Sequence, residues 1–180
     1  MTTDRAELLN VLRIATHRLV VAVERMSEAE AAEPSLLPGW TRGHVVTHVA
    51  RNADALRNLL AWARTGVETP AYRRQSQRDA DIEEGAGRSV DDLRDDVAET
   101  GEAFAAEAEM LTDAAWQQEV RVLDGPLFRA ALILPRRLTE VELHHTDLGL
   151  GYKAADWTPR FAALRLPDPM ASWREERKAW

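Results

Sequence analysis

Two short segments of this sequence, residues 43–48 and 140–145, contain four of its five histidines. The second segment also contains Glu140, four residues before His144, so that both side chains would lie on one face of a helix. Neutral imidazole and carboxylate groups are the ligands that proteins use for catalytic zinc and similar divalent ions. The two segments therefore predict a divalent metal site.

A helical projection selects the ligands within these segments. In the second segment, Glu140 and His144 lie at the edge of the apolar face, whereas Glu142 points to the opposite face. In the first segment, His48 lies at the margin of the buried stripe. Asn52 lies one turn further on and is predicted to be a cofactor-binding residue. A site with three protein ligands leaves positions open for water or substrate, which is typical of a catalytic centre.

Less specific interpretations of the same residues stay open. A glutamate and a histidine four residues apart are also a common helix-stabilising pair. His17 and His44 are expected to be half-exposed polar residues, and His145 fits either a supporting role beside the metal or the edge of the core. His44 and His48 form an H-x-x-x-H pattern, but Val45 replaces the glutamate that a metalloprotease needs as general base. Peptide hydrolysis is therefore not expected.

Length and charge restrict the class of protein. The chain has 180 residues, of which 45% are hydrophobic, and this fits one domain over residues 1–160 with a C-terminal tail over residues 161–180. The net charge of −7 argues against a nucleic-acid partner. The apolar runs are too short to span a bilayer, and the N-terminus lacks the basic-then-apolar order of a signal peptide. We therefore expect a cytoplasmic protein with no membrane partner.

The sequence contains no cysteine. Disulfides, thiolate ligands and a cysteine nucleophile are therefore excluded, and any thiol chemistry must use a thiol cosubstrate. Lysine occurs only as Lys153 and Lys178, which leaves almost no candidate for a Schiff base.

Helical periodicity dominates the sequence and predicts an all-α fold. Thr41 and Ser89 are predicted to cap the second and third helices, because a hydroxyl can accept a hydrogen bond from a first-turn amide. The predicted helices span residues 3–26, 41–63, 89–111 and 135–149. The polar connection 66–88 is long enough to cross a bundle or cover a site. Residues 119–134 fit either a short extended segment around a turn or the start of a helix.

Two motifs resemble a known family. They are Leu37-Pro38-Gly39-Trp40-Thr41-Arg42-Gly43-His44 followed by His48-Val49-Ala50-Arg51-Asn52, and Glu140-Val141-Glu142-Leu143-His144-His145-Thr146-Asp147-Leu148-Gly149. Over residues 3–160 the chain is similar to the mycothiol-dependent maleylpyruvate isomerases, within the DinB-like superfamily of metal-binding four-helix bundles. The resemblance implies an up, up, down, down-like bundle with a long crossover connection. It also implies a zinc ion bound by His48, Glu140 and His144.

The same resemblance implies a reaction, the conversion of maleylpyruvate to fumarylpyruvate. Mycothiol, as thiol cosubstrate, adds to the cis double bond, the resulting single bond rotates, and elimination gives the trans isomer. A divalent metal, with Zn²⁺ as the first candidate, lowers the pKa of the thiol. Arg137, near Glu140 and His144 on the projection, is predicted as a catalytic residue that holds a carboxylate of the electrophile. A surface or helix-dipole charge is the alternative for Arg137.

Other functions fit the same residues. A mycothiol-dependent S-transferase or detoxification enzyme would keep the metal and the thiol and change the electrophile, and a non-catalytic metal-binding module is the third possibility. Many relatives continue into a second domain that shapes the substrate pocket, whereas this sequence has a Trp/Arg/Glu-rich tail and stops at Trp180. Trp157, Trp173 and Trp180 are expected to be exposed and available for tail packing or a subunit contact, in a monomer or homodimer.

Overall fold

The computed structural model describes residues 2–180, with side chains from Asp4 onward. The described chain is mostly helical, which confirms the predicted fold class. In chain order the helices are α1 (Thr2–Glu24), α2 (Glu28–Ala32), α3 (Arg42–Thr65), α4 (Gln75–Gly85), α5 (Val90–Glu109), α6 (Ile133–Asp147), α7 (Pro159–Ala162) and α8 (Met170–Arg177). The two short strands β1 (Glu119–Val120) and β2 (Phe128–Arg129) pair antiparallel.

The ends of the long helices follow from their flanking residues. The Thr41 hydroxyl accepts a hydrogen bond from the His44 amide, and the Ser89 hydroxyl accepts one from Asp92, which confirms both predicted N-caps. α3 ends at Gly66, whose φ of 75° is a left-handed conformation that glycine adopts without steric cost. These signals set the length of the helix that carries His48.

The four long helices α1, α3, α5 and α6 form the bundle. α1 and α3 each pack against both α5 and α6. Their apolar stripes meet in one continuous core that includes the fully buried side chains of Leu19, Leu59, Phe104 and Leu138. Burial of each such side chain contributes about 1.5–3 kcal/mol to folding. Most of the stability of the fold therefore comes from this core.

Contacts between the helices give their directions. Arg51 of α3 pairs with Asp96 of α5, and Arg64, further along α3, pairs with Glu107, further along α5. The two helices therefore run parallel. Parallel neighbours cannot be joined by a short turn. The polar connection predicted between them therefore has to cross the length of the bundle.

The other two bundle helices run the opposite way. Arg5, near the start of α1, pairs with Asp113, just beyond the end of α5. The Arg42 side chain, at the start of α3, donates to the carbonyl of Leu148, just beyond the end of α6. The order is therefore up, down, down, up, which corrects the order implied by the resemblance. The reason is that the compact connector between α1 and α3 reverses the chain, and the long crossover does not.

The crossover between α3 and α5 contains α4, which packs on α3. The helices approach closely because two glycines lack side chains. A Cβ atom on Gly43 would collide with the carbonyl oxygen of Ala86, and one on Gly85 would collide with Cγ2 of Thr47. The crossover is thereby held against the first half of α3.

The remaining segments are folded onto the bundle. Between α5 and α6 the chain forms the strand pair with Glu119 opposite Arg129, and helical turns begin at Ala130, so each of the two alternatives for residues 119–134 holds for part of the segment. The segment predicted as a tail contains α8, which packs on α6, as does α7. Trp157 is buried and donates to the Thr146 hydroxyl at 3.0 Å, so its predicted exposure was wrong. In the described part of the chain, no helix combines the length and apolarity needed to cross a bilayer.

Candidate metal centre

The side chains of His48, Glu140 and His144 meet between α3 and α6. Each offers one ligand atom, and the three atoms lie within 4.8 Å of one another. Glu140 Oε2 is 3.0 Å from His48 Nε2 and 3.2 Å from His144 Nε2. The two imidazole rings are perpendicular, with their centroids 4.6 Å apart. The structure thus brings together the three residues that the helical projection selected.

His144 is held by an acidic neighbour. Its Nδ1 lies 2.8 Å from Oδ2 of Asp147, which is fully buried. The carboxylate accepts the Nδ1 proton and leaves Nε2 facing Glu140, which is how a carboxylate commonly orients a metal-binding histidine. Sequence reasoning missed Asp147, although its position three residues after His144 was a usable signal.

His48 is held from two sides. The Trp40 ring packs against it with centroids 5.4 Å apart, and Arg78, in α4, places a guanidinium nitrogen 3.2 Å from Nδ1. Arg78 therefore connects the crossover to the site. The polar connection both crosses the bundle and covers the site.

The protonation of the cluster follows from burial and hydrogen bonding. Burial lowers the pKa of His48 to about 4, and the positive charges of His144 and Arg78 act in the same direction. Burial alone would lower the pKa of His144 too, but hydrogen bonds to Asp147 and Glu140 raise it to about 9. Burial disfavours ionised Glu140, yet hydrogen bonds from both histidines hold its pKa well below the usual range. Glu140 is therefore an anion in contact with protonated His144.

The donor set suits a divalent ion. Two imidazole nitrogens and one carboxylate oxygen on facing helices match the three protein ligands of open zinc sites. The cluster also faces a cavity of about 580 Å³, so a bound ion would keep access to small molecules. The chemistry of these residues therefore fits the divalent metal implied by the resemblance, and nickel or iron would accept the same donors.

The cavity has an apolar wall and three arginines. Leu37, Leu56, Tyr72 and Val122 contribute apolar surface, and the arginines are Arg78, Arg136 and Arg177. Arg136 stacks over the Phe128 ring at 4.3 Å, and among the described residues no carboxylate pairs with it. Such a cation is available to an anionic ligand.

The residue predicted as catalytic, Arg137, does not lie on this wall. It is fully buried and donates to the carbonyl of Val49 at 2.7 Å and to Oδ1 of Asn52 at 2.9 Å. Asn52, predicted to contact the cofactor, does line the cavity. Arg137 is therefore connected to the cavity only through its hydrogen bond to Asn52. Arg136, the preceding residue, lines the cavity instead.

Two of the other three histidines, His44 and His145, and the carboxylate of Glu142 have separate environments. His44 belongs to the N-terminal cap of α3 and contacts Glu83, away from the ligand cluster. His145 stacks on Tyr152 with ring centroids 3.7 Å apart, at the core edge on the other side of α6. Glu142 also points to that side, but it is buried and accepts hydrogen bonds from Tyr152 and Thr158. None of these three residues joins the cluster.

The fold and the site together define a four-helix bundle with a His/Glu/His cluster on two facing helices. The family model described as the mycothiol maleylpyruvate isomerase N-terminal domain matches residues 12–149. The chain therefore belongs to that family, and the resemblance recognised from the motifs is confirmed.

Two solved structures are similar to this chain. One is the crystal structure of the mycothiol-dependent maleylpyruvate isomerase, with 34% identity, and the other is that of a histidine-to-alanine variant, with 33% identity. Both have a TM-score of 0.81 and cover 87% of this chain. The chain spans 65% of the length of each of these structures. Comparison with curated proteins gave no match.

Proposed function

We propose that this chain is a metal-dependent, mycothiol-using isomerase of the maleylpyruvate isomerase type, with maleylpyruvate as substrate and fumarylpyruvate as product. The observation that carries the proposal is the cluster of His48, Glu140 and His144, which opens into a cavity lined by arginines. Family membership supports the use of mycothiol. We include a cytoplasmic location in the proposal, since thiol cosubstrates are kept reduced there.

The reaction needs a nucleophile that the chain does not contain. The thiol of mycothiol gives its proton to solvent, the resulting thiolate forms a bond to one carbon of the cis double bond, and the π electrons of the double bond move onto the adjacent carbonyl. Rotation about the new single bond and return of the electron pair expel the thiolate and leave the trans isomer. A bound divalent ion would lower the pKa of the thiol and polarise the carbonyl oxygen of the substrate.

The side chains around the cavity supply binding and orientation. Arg136 and Arg78, which line the cavity, would hold the carboxylates of the electrophile. If His48 held an ion through Nε2, its ring proton would sit on Nδ1, and the Arg78 nitrogen that now contacts Nδ1 would be left for an anion, while its other terminal nitrogen stays paired with Asp79 at 2.9 Å. Arg137 donates a hydrogen bond to the side-chain carbonyl of Asn52, which leaves the Asn52 amide NH₂ as a donor for a ligand.

One observation favours a second candidate, a mycothiol-dependent S-transferase. The family match ends at Gly149, whereas Met170, Trp173 and Arg177 of α8 also line the cavity. Cavity-lining side chains outside the matched region can select a different electrophile while the metal and the thiol stay the same.

A single assay separates these functions. Protein loaded with Zn²⁺ is mixed with maleylpyruvate, with and without mycothiol, and fumarylpyruvate is measured. The proposal expects turnover only with mycothiol. Turnover without any thiol would contradict the mechanism, and thiol consumption with other electrophiles alone would assign the chain to the S-transferases. Stoichiometric metal binding without either reaction would leave a binding module.

A further inference from the structure

The C-terminal helix α8 lies beyond the region that the family model matches, yet it forms part of the site. It packs on α6, and three of its side chains, Met170, Trp173 and Arg177, line the cavity beside the ligand cluster. Met170 has only 1% of its surface exposed. The helix is therefore a packed wall of the cavity.

Arg177 makes the main polar contact between α8 and α6. Its Nε donates to Oδ1 of Asp147 at 3.1 Å, and its Nη2 donates to Oδ2 at 3.3 Å. The guanidinium also lies over the Trp180 ring, 4.9 Å from the ring centre. This two-pronged geometry fixes the plane of a carboxylate, which a single contact would not do.

The carboxylate that Arg177 fixes is the one that orients a predicted ligand. Asp147 Oδ2 also accepts the proton of His144 Nδ1, at 2.8 Å. Asp147 is fully buried and is the last residue of α6, where the helix dipole disfavours a negative charge. The positive charge of Arg177 offsets this cost.

We propose that Arg177 is a positioning residue that holds His144 in its metal-binding orientation through Asp147. Docking of α8 and binding of the ion then stabilise each other, because a coupling between two events acts equally in both directions. This inference rests on the metal centre proposed above. It assigns to the segment after the family match a role in the affinity of that centre.

The test is a titration of Zn²⁺ affinity by competition with a chromophoric chelator. Asp147→Asn should weaken binding roughly 10- to 100-fold, as the loss of a carboxylate behind a ligating histidine commonly does. Arg177→Gln should weaken it in the same direction, by roughly tenfold. The double variant should be no weaker than Asp147→Asn, because both changes interrupt the same chain of contacts.

Arg174→Gln is the matched control. Arg174 lies in the same helix and donates to the carbonyls of Phe161 and Leu164, without a contact to Asp147. Its Zn²⁺ affinity should stay at the wild-type value. An equal loss in Arg174→Gln would show that docking of α8 in general is responsible, which would overturn the role of Arg177.

Hydrogen exchange provides the second readout. Zn²⁺ should slow amide exchange across residues 170–177 in the wild type and have a much smaller effect in Arg177→Gln. Wild-type affinity in Arg177→Gln would overturn this inference and leave the metal centre intact. No Zn²⁺ binding by the wild-type protein would overturn the centre itself, and with it the inference.

Discussion

At the scale of single residues, Glu140 and Glu142 lie on opposite sides of α6 and have different partners. Glu140 contacts both histidines of the candidate centre, whereas Glu142 accepts hydrogen bonds from Tyr152 and from the amide of Thr158. Both carboxylates are largely removed from solvent, so each requires its own donors. The helix is therefore constrained on both faces, by the site on one and by a structural network on the other.

The first prediction separates the adjacent arginines Arg136 and Arg137. Arg136→Ala should raise the KM for a carboxylate electrophile roughly tenfold, with kcat and metal content little changed, because it removes a cation from the cavity wall. Arg137→Ala should instead reduce the free energy of unfolding by about 2–3 kcal/mol, since it removes buried hydrogen bonds and leaves a void. Steady-state kinetics and urea unfolding distinguish the two. A KM effect confined to Arg137→Ala would restore the assignment made from sequence.

The second prediction concerns protons. At pH 7 His144 of the metal-free protein, with a pKa of about 9, is in its cationic form, whereas His48, with a pKa of about 4, is neutral. A metal ion binds only the neutral imidazole, so binding at pH 7 should release about one proton, and affinity should rise with pH toward 9. Calorimetry in two buffers of different ionisation enthalpy measures the release. The absence of released protons at pH 7 would contradict the assigned protonation.

The protonation of His144 also makes the stability of the metal-free fold depend on pH. Because its folded pKa lies above the ordinary histidine value, protonated His144 stabilises the fold fully below about pH 6.5. That contribution is lost as the pH rises through about 9.

Sequence reasoning selected the three side chains that meet in the candidate centre because helical spacing fixes which side chains share a face. It misplaced Arg137 because a projection gives the direction of a side chain and not its depth or its partners. Asp147 carried a local signal and was overlooked. Arg177 carried none, since its contact depends on α8 folding back across 30 positions of sequence.

At the scale of elements, the crossover is as much a part of the site as the bundle helices. It supplies Tyr72 and Arg78 to the cavity, and it is held in place by the close contact between Gly43 and Ala86. The position of those two cavity residues therefore depends on a glycine at the start of α3.

The third prediction tests that dependence. Gly43→Ala should lower the free energy of unfolding by about 1–3 kcal/mol, because the new Cβ meets a backbone oxygen that cannot rotate away. It should also raise the KM, since α4 must move. Gly87→Ala is the matched control, because no atom lies within 4 Å of its added Cβ. Equal stability of the two variants in urea would contradict a close contact between Gly43 and Ala86.

The bundle helices could be predicted because their apolar periodicity is long and because α3 and α5 begin at side-chain caps. α4 was not predicted, since it buries only Ile82 and Gly85 and has no side-chain cap at its start. α8 was not predicted for a similar reason, as Met170 is its one buried residue. Tertiary contacts stabilise both short helices, and sequence periodicity does not report such contacts.

At the scale of the whole molecule, the candidate centre joins α3 to α6, so an ion there would bind the folded chain and not the unfolded one. Binding of this kind adds about 2.7 kcal/mol when the free ion is at one hundred times its Kd. The metal would therefore act as a stabiliser of the complete bundle.

The fourth prediction follows from this linkage. Removal of the metal by a chelator should lower Tm by roughly 5–10 °C, given about 2–4 °C per kcal/mol for a chain of this size. His48→Ala and His144→Ala should lose most of the metal and show no chelator effect. His44→Ala should behave as the wild type, because His44 lies in the α3 cap. A full chelator effect in His48→Ala would contradict the site.

His48 and Glu140 are separated by 92 positions in the sequence, although their side chains are 3.0 Å apart. No local segment of the chain can hold the ligand set, so an ion cannot nucleate folding and can bind only after α3 and α6 have met. Its effect should therefore appear chiefly as a slower rate of unfolding, with little change in the rate of folding. The ion would bind at the end of folding and lengthen the lifetime of a bundle that the apolar core has already assembled.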